Sequence, residues 1–201
     1  MPKLALSFYQ QDDILTVAQA LLGKQLFTKI EGVLTGGTIV ETEAYNGIVD
    51  KASHAFGGRF TNRTSTMYQS GGVAYVYLCY GIHHLFNVVC GTEGNPLAVL
   101  IRGIEPVVGI EAMLQRRKMQ VLTGRITAGP GALAQALGIN KNLNNKDLLG
   151  DVVWIEDNGV VFDPNQILDS PRVGVDYAGD HALLPWRFYV KGNKFVSKPN
   201  S

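Results

Sequence analysis

Two carboxylates stand two residues apart in the segment Ile39-Val-Glu-Thr-Glu-Ala-Tyr45. On a strand, alternate side chains share a face, so Ile39, Glu41, Glu43 and Tyr45 point the same way, with the two like charges about 7 Å apart. A strand face turned to water accommodates such a pair. The aliphatic and aromatic flanks allow a second reading, because a carboxylate between apolar neighbours can have its proton affinity tuned for acid–base work.

Two further stretches carry unusual residue types. Ala52-Ser-His-Ala-Phe-Gly-Gly-Arg59, running on to Asn62, Arg63 and Thr64, combines small residues with two arginines. Such a loop can approach a phosphate closely, although arginines in a polar loop are equally at home in solvent. The run Val73-Ala-Tyr-Val-Tyr-Leu-Cys-Tyr80-Gly81 places Tyr75 and Tyr77 on one strand face and Tyr80 at a turn. Core packing accounts for Tyr75. It does not account for a large aromatic at a hairpin tip, where Gly, Asn, Asp and Pro are favoured. A rigid wedge between base pairs is one use for it.

Metal chemistry finds little support. His83 and His84 are adjacent and point to opposite faces of a strand, so they cannot share one ion there. The chain has no H-E-x-x-H and no paired C-x-x-C, and no G-x-S-x-G elbow, P-loop or G-x-G-x-x-G.

The elements that must position these residues follow from periodicity and punctuation. Asp12 or Asp13 can cap a helix carrying Leu15, Ala18, Leu21 and Leu22, ended by Gly23. Residues 24–29, 37–45, 73–80, 84–90 and 97–104 read as strands, the third and fourth joined at Tyr80-Gly81-Ile82-His83. A helix is expected from about Pro106 to Arg117, with proline early and basic residues late, and a shorter one over 132–137 after Gly129-Pro-Gly131. Residues 152–155 and 187–191 read as late strands. Strands outnumber helices and several adjoin through hairpins. The expectation is an α+β fold: one domain over 1–201, with a mainly antiparallel curved sheet, flanking helices and a protruding hairpin.

Composition bounds the rest. A chain of 201 residues with 46% apolar and 17% charged residues is long enough for one well-buried core. Its formal charge of +1 supplies no global basic excess, so any nucleic-acid contact must come from a local basic face. There is no apolar run of membrane-spanning length, and residues 1–11 lack a signal-peptide pattern. In the expected hairpin Cys90 faces roughly Val73, far from Cys79, so two free thiols in a reducing, cytoplasmic setting are expected.

Taken together, the motifs have an order. Glu41-Thr-Glu-Ala-Tyr45 is followed by His54 before Gly57-Gly-Arg59, then Tyr75-x-Tyr77-x-x-Tyr80-Gly81, Asn87, and Leu100-Ile-Arg-Gly-Ile-Glu-Pro106. Gly129-Pro-Gly131 with Leu133-Ala-Gln-Ala-Leu137, Ser170-Pro-Arg-Val-Gly174 and Pro185-Trp-Arg-Phe188 complete the series. In this order and spacing, over roughly residues 7–196, the chain resembles the alkyladenine (3-methyladenine) DNA glycosylases of the eukaryotic type. One departure is visible: the interval Val88–Ile101 is about two residues longer than in mammalian members, with the extra length expected in Gly91–Pro96.

The resemblance implies base excision from double-stranded DNA containing damaged purines, by a monomer without metal or organic cofactor and without a membrane. It implies Glu43 as general base and Arg102 beside the nucleophilic water. Tyr45 on one side, with His54 and Tyr77 on the other, would sandwich the flipped purine. Asn87 would crowd the 2-amino group of guanine, Tyr80 would fill the vacated stack, and Arg59, Arg63 and Met67 would lie at the DNA backbone. No lysine falls among the matched pocket positions, so β-lyase chemistry is not expected. An alkylated purine is cationic and leaves readily; it needs a base for water and a negative charge beside an oxocarbenium-like sugar, and one carboxylate can serve both. Two alternatives remain at this point. A non-catalytic nucleic-acid-binding domain would keep Tyr80 and the arginines without needing Glu43. A hydrolase of small nucleosides would need the pocket without the wedge.

Overall fold

The computed structural model describes residues 1–197; the last four residues of the expected domain lie outside them. Its frame is one curled antiparallel sheet of eight strands. In chain order these are β1 (Gln25–Ile30), β2 (Val33–Asn46), β3 (Ala74–Cys79), β4 (His83–Cys90), β5 (Leu97–Val108), β6 (Val153–Glu156), β7 (Ile167–Ser170) and β8 (Arg187–Val190). The spatial order is β3-β4-β5-β2-β1-β6, with β8 between β2 and β7. The helices are α1 (Leu6–Tyr9), α2 (Ile14–Ala20), α3 (Ile110–Arg116) and α4 (Pro130–Ala136). The α+β expectation, with its antiparallel sheet and hairpin, holds.

β2 is the central member. One edge pairs with β5 over most of its length; the other pairs with β1 over its first half and with β8 at Glu41–Glu43. Residues 39–44 are all buried. The half-solvated face that the spacing of Glu41 and Glu43 allowed is therefore absent: α2 packs on one side, where Thr42 Oγ1 donates to the Ala18 carbonyl at 2.9 Å, and the chain around residue 173 covers the other.

Strand alternation separates two interiors. Ala74 and Val76 of β3, Phe86, Val88 and Cys90 of β4, and Val99 and Ile101 of β5 enter the main core with α2 and α4. Their neighbours Tyr75, Tyr77, Leu85, Asn87, Ala98 and Leu100 face the opposite way, into a cleft. Cys90 is buried in the core, Cys79 lies near the hairpin tip, and both are free thiols.

One local expectation needs correction. The helix placed at Pro106–Arg117 begins only at Ile110, because β5 runs to Val108 paired with Gly36 and Gly37 of β2. Pro106 is tolerated there since β4 covers β5 only over Leu97–Leu100, which leaves that stretch with one strand partner and no ladder bond for the missing N–H. The turn into α3 is made by Gly109 at φ 72, where a Cβ would lie 2.2 Å from the Leu34 carbonyl oxygen. β7 and α1 were not expected; both are four residues long and too short to show a period. At the N-terminus, Asp13 caps α2 through the Thr16 N–H, while Asp12 accepts from Thr92 N–H and Asn95 Nδ2 and ties down the loop after β4. That loop, Gly91–Pro96, is where the extra length was expected.

Candidate active site

Two bulges prepare the site. Between Ile39 and Glu41, β2 holds one residue more than β5; between Glu41 and Thr42 the excess lies on β5, and the extra residue is Arg102. A bulged residue leaves the ladder and its side chain is re-aimed. Arg102 turns inward to both glutamates. Its Nε donates to Glu41 Oε1 at 2.8 Å and its Nη1 lies 3.2 Å from Glu43 Oε1. Burial disfavours its charge, but Glu43 and Glu41 outweigh that and hold the guanidinium above its ordinary pKa.

The two carboxylates have different surroundings. Glu41 accepts from Arg102 Nε, Arg187 Nε and Ser197 Oγ on Oε1 and from the Ser197 N–H on Oε2. Glu43 accepts the Val173 N–H at 2.7 Å on Oε1, beside Arg102, and the Tyr45 hydroxyl at 2.9 Å on Oε2. One position of Oε2 remains. Burial, then the Glu43 charge, holds the Tyr45 phenol well above its ordinary pKa, so it stays a donor.

Glu43 is fully buried, behind Tyr45, Arg102 and Val173, and those three line a cleft of about 860 Å³. Small-molecule sites commonly span roughly 300–1,000 Å³. Tyr45, His54, Tyr75, Tyr77, Asn87 and Arg102 all border it. His54 meets the Tyr77 ring edge-on at 4.6 Å between centroids, and Tyr75 and Tyr77 lie 5.3 Å apart. Burial, then the charges of Arg63 and Arg59, push the His54 pKa down to about 4. Its Nε2 lies 3.5 Å from Arg63 Nη2, which can only donate; the ring proton therefore sits on Nδ1, 2.9 Å from the Tyr75 hydroxyl. Asn87 is buried and its Nδ2 donates to the Tyr75 carbonyl at 3.1 Å.

Arg59 and Arg63 are exposed at the cleft mouth, and Arg63 lies over the Tyr77 ring at 4.7 Å. Met67, expected at the DNA backbone, is 2% exposed and packs with Ala55, Tyr75, Val89 and Ala98. From there its side chain shapes the cleft wall and presents nothing to a phosphate. The β3–β4 hairpin overhangs the cleft, and at its tip Tyr80 is 87% exposed. Lys51, which belongs to none of the motifs of the sequence, also stands on the rim. Among the described residues, no three His, Cys, Asp or Glu side chains converge as a metal site, and no helix is long and apolar enough to cross a membrane.

One supporting group carried no role in the sequence reading. Arg172 forms a buried two-pronged pair with Asp50, its Nη2 2.9 Å from Oδ1, and also donates to the carbonyls of Ala44 and His181. Its guanidinium lies between the Tyr45 and Trp186 rings, at 4.8 and 5.0 Å. This clamp places the next residue, Val173, with its N–H on Glu43. Burial opposes the Asp50 charge, yet Arg172 and two backbone N–H groups hold its pKa below the usual range. The signal was present as the arginine of Ser170-Pro-Arg-Val-Gly174; its partner Asp50, 122 residues away, was not.

A buried carboxylate behind an aromatic cleft, with an exposed aromatic hairpin above it, makes a site that can hold a flat ring beside an acid–base group. The model of the methylpurine-DNA glycosylase family matches residues 7–194, and the chain belongs to that family of DNA glycosylases. It is 44% identical over 206 residues to a protein of Desulfitobacterium hafniense (strain Y51) described as "Putative 3-methyladenine DNA glycosylase", covering 98% of this chain and 99% of that one. Proteins of the same description from Clostridium acetobutylicum (45%, covering 97% of each chain) and Bacillus cereus strain G9842 (44%, covering 96% and 97%) are similar along their length.

Proposed function

We propose that this protein removes alkylated and deaminated purines (3-methyladenine, 7-methylguanine, hypoxanthine and ethenoadenine as a class) from duplex DNA by hydrolysing the N-glycosidic bond, with Glu43 activating the water. The observation that carries the reading is the difference between the glutamates: Glu41 is held by Arg102, Arg187 and Ser197, of which only Arg102 borders the cleft, whereas Glu43 meets Tyr45, Arg102 and Val173, all of which line it, and keeps an unfilled position on Oε2.

Tyr80 enters the stack as the base leaves it, and the base lies between Tyr45 and the His54–Tyr77 pair. The C1′–N bond breaks, its electrons going to the purine; a cationic alkylpurine becomes neutral as it departs, and a neutral lesion leaves as an anion that takes up the proton released when water adds to the sugar. Glu43 stabilises the positive sugar and takes a proton from the water whose oxygen bonds to C1′, leaving an abasic site. Arg102 and the Val173 N–H occupy Oε1 and so fix which oxygen meets the water. His54, neutral at physiological pH, adds no repulsion to a cationic base.

The test offers a duplex with one ethenoadenine or 3-methyladenine analogue beside the corresponding free nucleoside, in excess EDTA. Abasic product from the duplex alone is expected. Conversion of the nucleoside at a similar rate would favour a small-nucleoside hydrolase, binding without conversion a non-catalytic DNA-binding domain, and loss of activity in EDTA restored by zinc or magnesium a metal enzyme.

A further inference from the structure

Behind Arg102, on the side away from the cleft, the chain's C-terminal segment closes the ion cluster, and every polar group of one residue is used there. The Ser197 N–H donates to Glu41 Oε2 at 2.7 Å, and its hydroxyl donates to Glu41 Oε1 at 2.7 Å. The same Oγ accepts from Arg102 Nη2 at 3.2 Å, and the Ser197 carbonyl accepts from Arg187 Nη2 at 3.0 Å. One small residue thus touches Glu41, Arg102 and Arg187.

The seat is tight. Phe195, two residues earlier, is buried in the main core. A Cβ on Gly103 would lie 2.6 Å from the Phe195 carbonyl oxygen, and one on Gly124 would lie 1.9 Å from that of Lys194. Two glycines allow the segment to lie directly on β5 and on the turn before α4. Ser197 is held by packing next to it and by charge around it.

Each guanidinium N–H direction of Arg102 matters because a planar fork held at one point can still swing. Nε is fixed by Glu41 and Nη1 approaches Glu43 at 3.2 Å; Ser197 Oγ fixes Nη2. We propose that Ser197 is a positioning residue, acting through Arg102 to set the orientation of Glu43 for catalysis. This rests on Glu43 being the base. Without the hydroxyl, Arg102 Nη2 and one lone-pair position of Glu41 lose a partner, and the fork can rotate toward Glu41. Lesion binding, which is made by the aromatic cleft, is untouched.

The experiment measures single-turnover excision of ethenoadenine and the dissociation constant of the lesion duplex for wild type, Ser197→Ala, Ser197→Thr and Glu43→Gln. Expected is an excision rate lower by about 10–100-fold in Ser197→Ala, the scale of a small misplacement of reacting groups, with duplex affinity within about twofold. Ser197→Thr, which keeps the hydroxyl, should recover most of the rate. Wild-type excision by Ser197→Ala, a loss confined to affinity, or a threonine variant as slow as the alanine one would each overturn the inference. A fully active Glu43→Gln would instead overturn the proposed chemistry, so the two failures are told apart.

Discussion

Arg102 bridges the two glutamates of β2: 2.8 Å from Glu41 on one side and 3.2 Å from Glu43 on the other, from a bulge that removes it from the β5 ladder. With Arg187 also 2.8 Å from Glu41, the buried cluster holds two negative and two positive charges. Balance of this kind is what lets four ionised groups stay out of water. It also separates the two carboxylates: Glu41 meets both arginines, whereas Glu43 meets Arg102 alone of the two and accepts the Tyr45 hydroxyl from the cleft wall.

The two glutamates should therefore fail differently. Glu43→Gln keeps the shape of the site and should keep lesion binding, while excision falls by about 10²–10⁴-fold, the scale of a general base with its electrostatic share. Glu41→Gln leaves two buried arginines under-compensated, a defect of about 3–5 kcal/mol, and should lower Tm by on the order of 10 °C. Excision timed beside thermal melts separates the cases; a Glu43→Gln protein that melts early and still excises would reverse the assignment.

His54 predicts a pH dependence of stability. Its folded pKa is about 4, against an ordinary value of 6.5. Below 6.5 the unfolded chain binds a proton that the folded chain refuses, so stability rises with pH through the window from 4 to 6.5 and is flat above it. His54→Gln should reduce the slope of Tm against pH in that window. An unaltered slope would mean that the imidazole is solvated and that the aromatic cluster is looser than its distances imply.

Asn87 is held by the Tyr75 carbonyl and faces the cleft from β4. Asn87→Ser shortens the side chain and should raise excision of guanine lesions relative to hypoxanthine, within the roughly 10–200-fold range of a single steric feature. An unchanged ratio on paired substrates would place the selection elsewhere in the cleft.

Lys51 stands on the rim of the same cleft, exposed, and could in principle meet an aldehydic sugar. A lyase lysine is normally activated by desolvation in an apolar pocket or by a neighbouring cation. The expectation is hydrolysis without a covalent intermediate. Borohydride added during turnover should trap no protein–DNA adduct; a wild-type adduct that disappears in Lys51→Ala would show a lyase step.

How much of this was legible depends on whether the cause was local. The β3–β4 hairpin and the shared strand face of Tyr75 and Tyr77 followed from period and turn chemistry, whereas the cleft they line was implied only by the resemblance. So did free cysteines, since Cys79 pairs with His83 in the register and Cys90 lies past Val88. The helix at Pro106 was misplaced because proline near basic residues signals a helix start only where no strand partner competes, and β2 does compete. The burial of Glu41 could not be read, because its four donors come from residues 102, 187 and 197. Nor could the Arg172–Asp50 clamp, a pairing that closes only when β2 and the C-terminal third meet.

The conformation of Tyr80 separates a role in base extrusion from one in folding. Strands β3 and β4 close at Cys79 and His83, with Tyr80, Gly81 and Ile82 between. Tyr80 adopts φ 49 and Gly81 φ 71, two successive left-handed residues. Glycine takes that conformation without penalty, whereas a side chain there costs about 1–2 kcal/mol. Tyr80 is 87% exposed and recovers nothing by burial, with Ile82 at 72% and Leu78 at 49% beside it. A bulky aromatic in a strained, solvated turn has no folding rationale; an apolar tip that enters the minor groove does. Extruding a base costs a few kcal/mol of stacking and pairing, and a wedge that fills the hole offsets part of it. Tyr80→Ala should therefore lower the flipping equilibrium and leave Tm within about a degree. Tyr80→Gly should flip equally poorly while melting slightly higher, because it removes the strain together with the wedge. Both defects should shrink when the lesion sits in a bulge, where stacking is already lost. Stopped-flow fluorescence of ethenoadenine in paired and bulged duplexes reads the flipping step, and thermal melts read the turn. Wild-type flipping in both variants, or a marked fall in Tm with alanine, would make Tyr80 a structural residue and leave the hairpin without a part in extrusion.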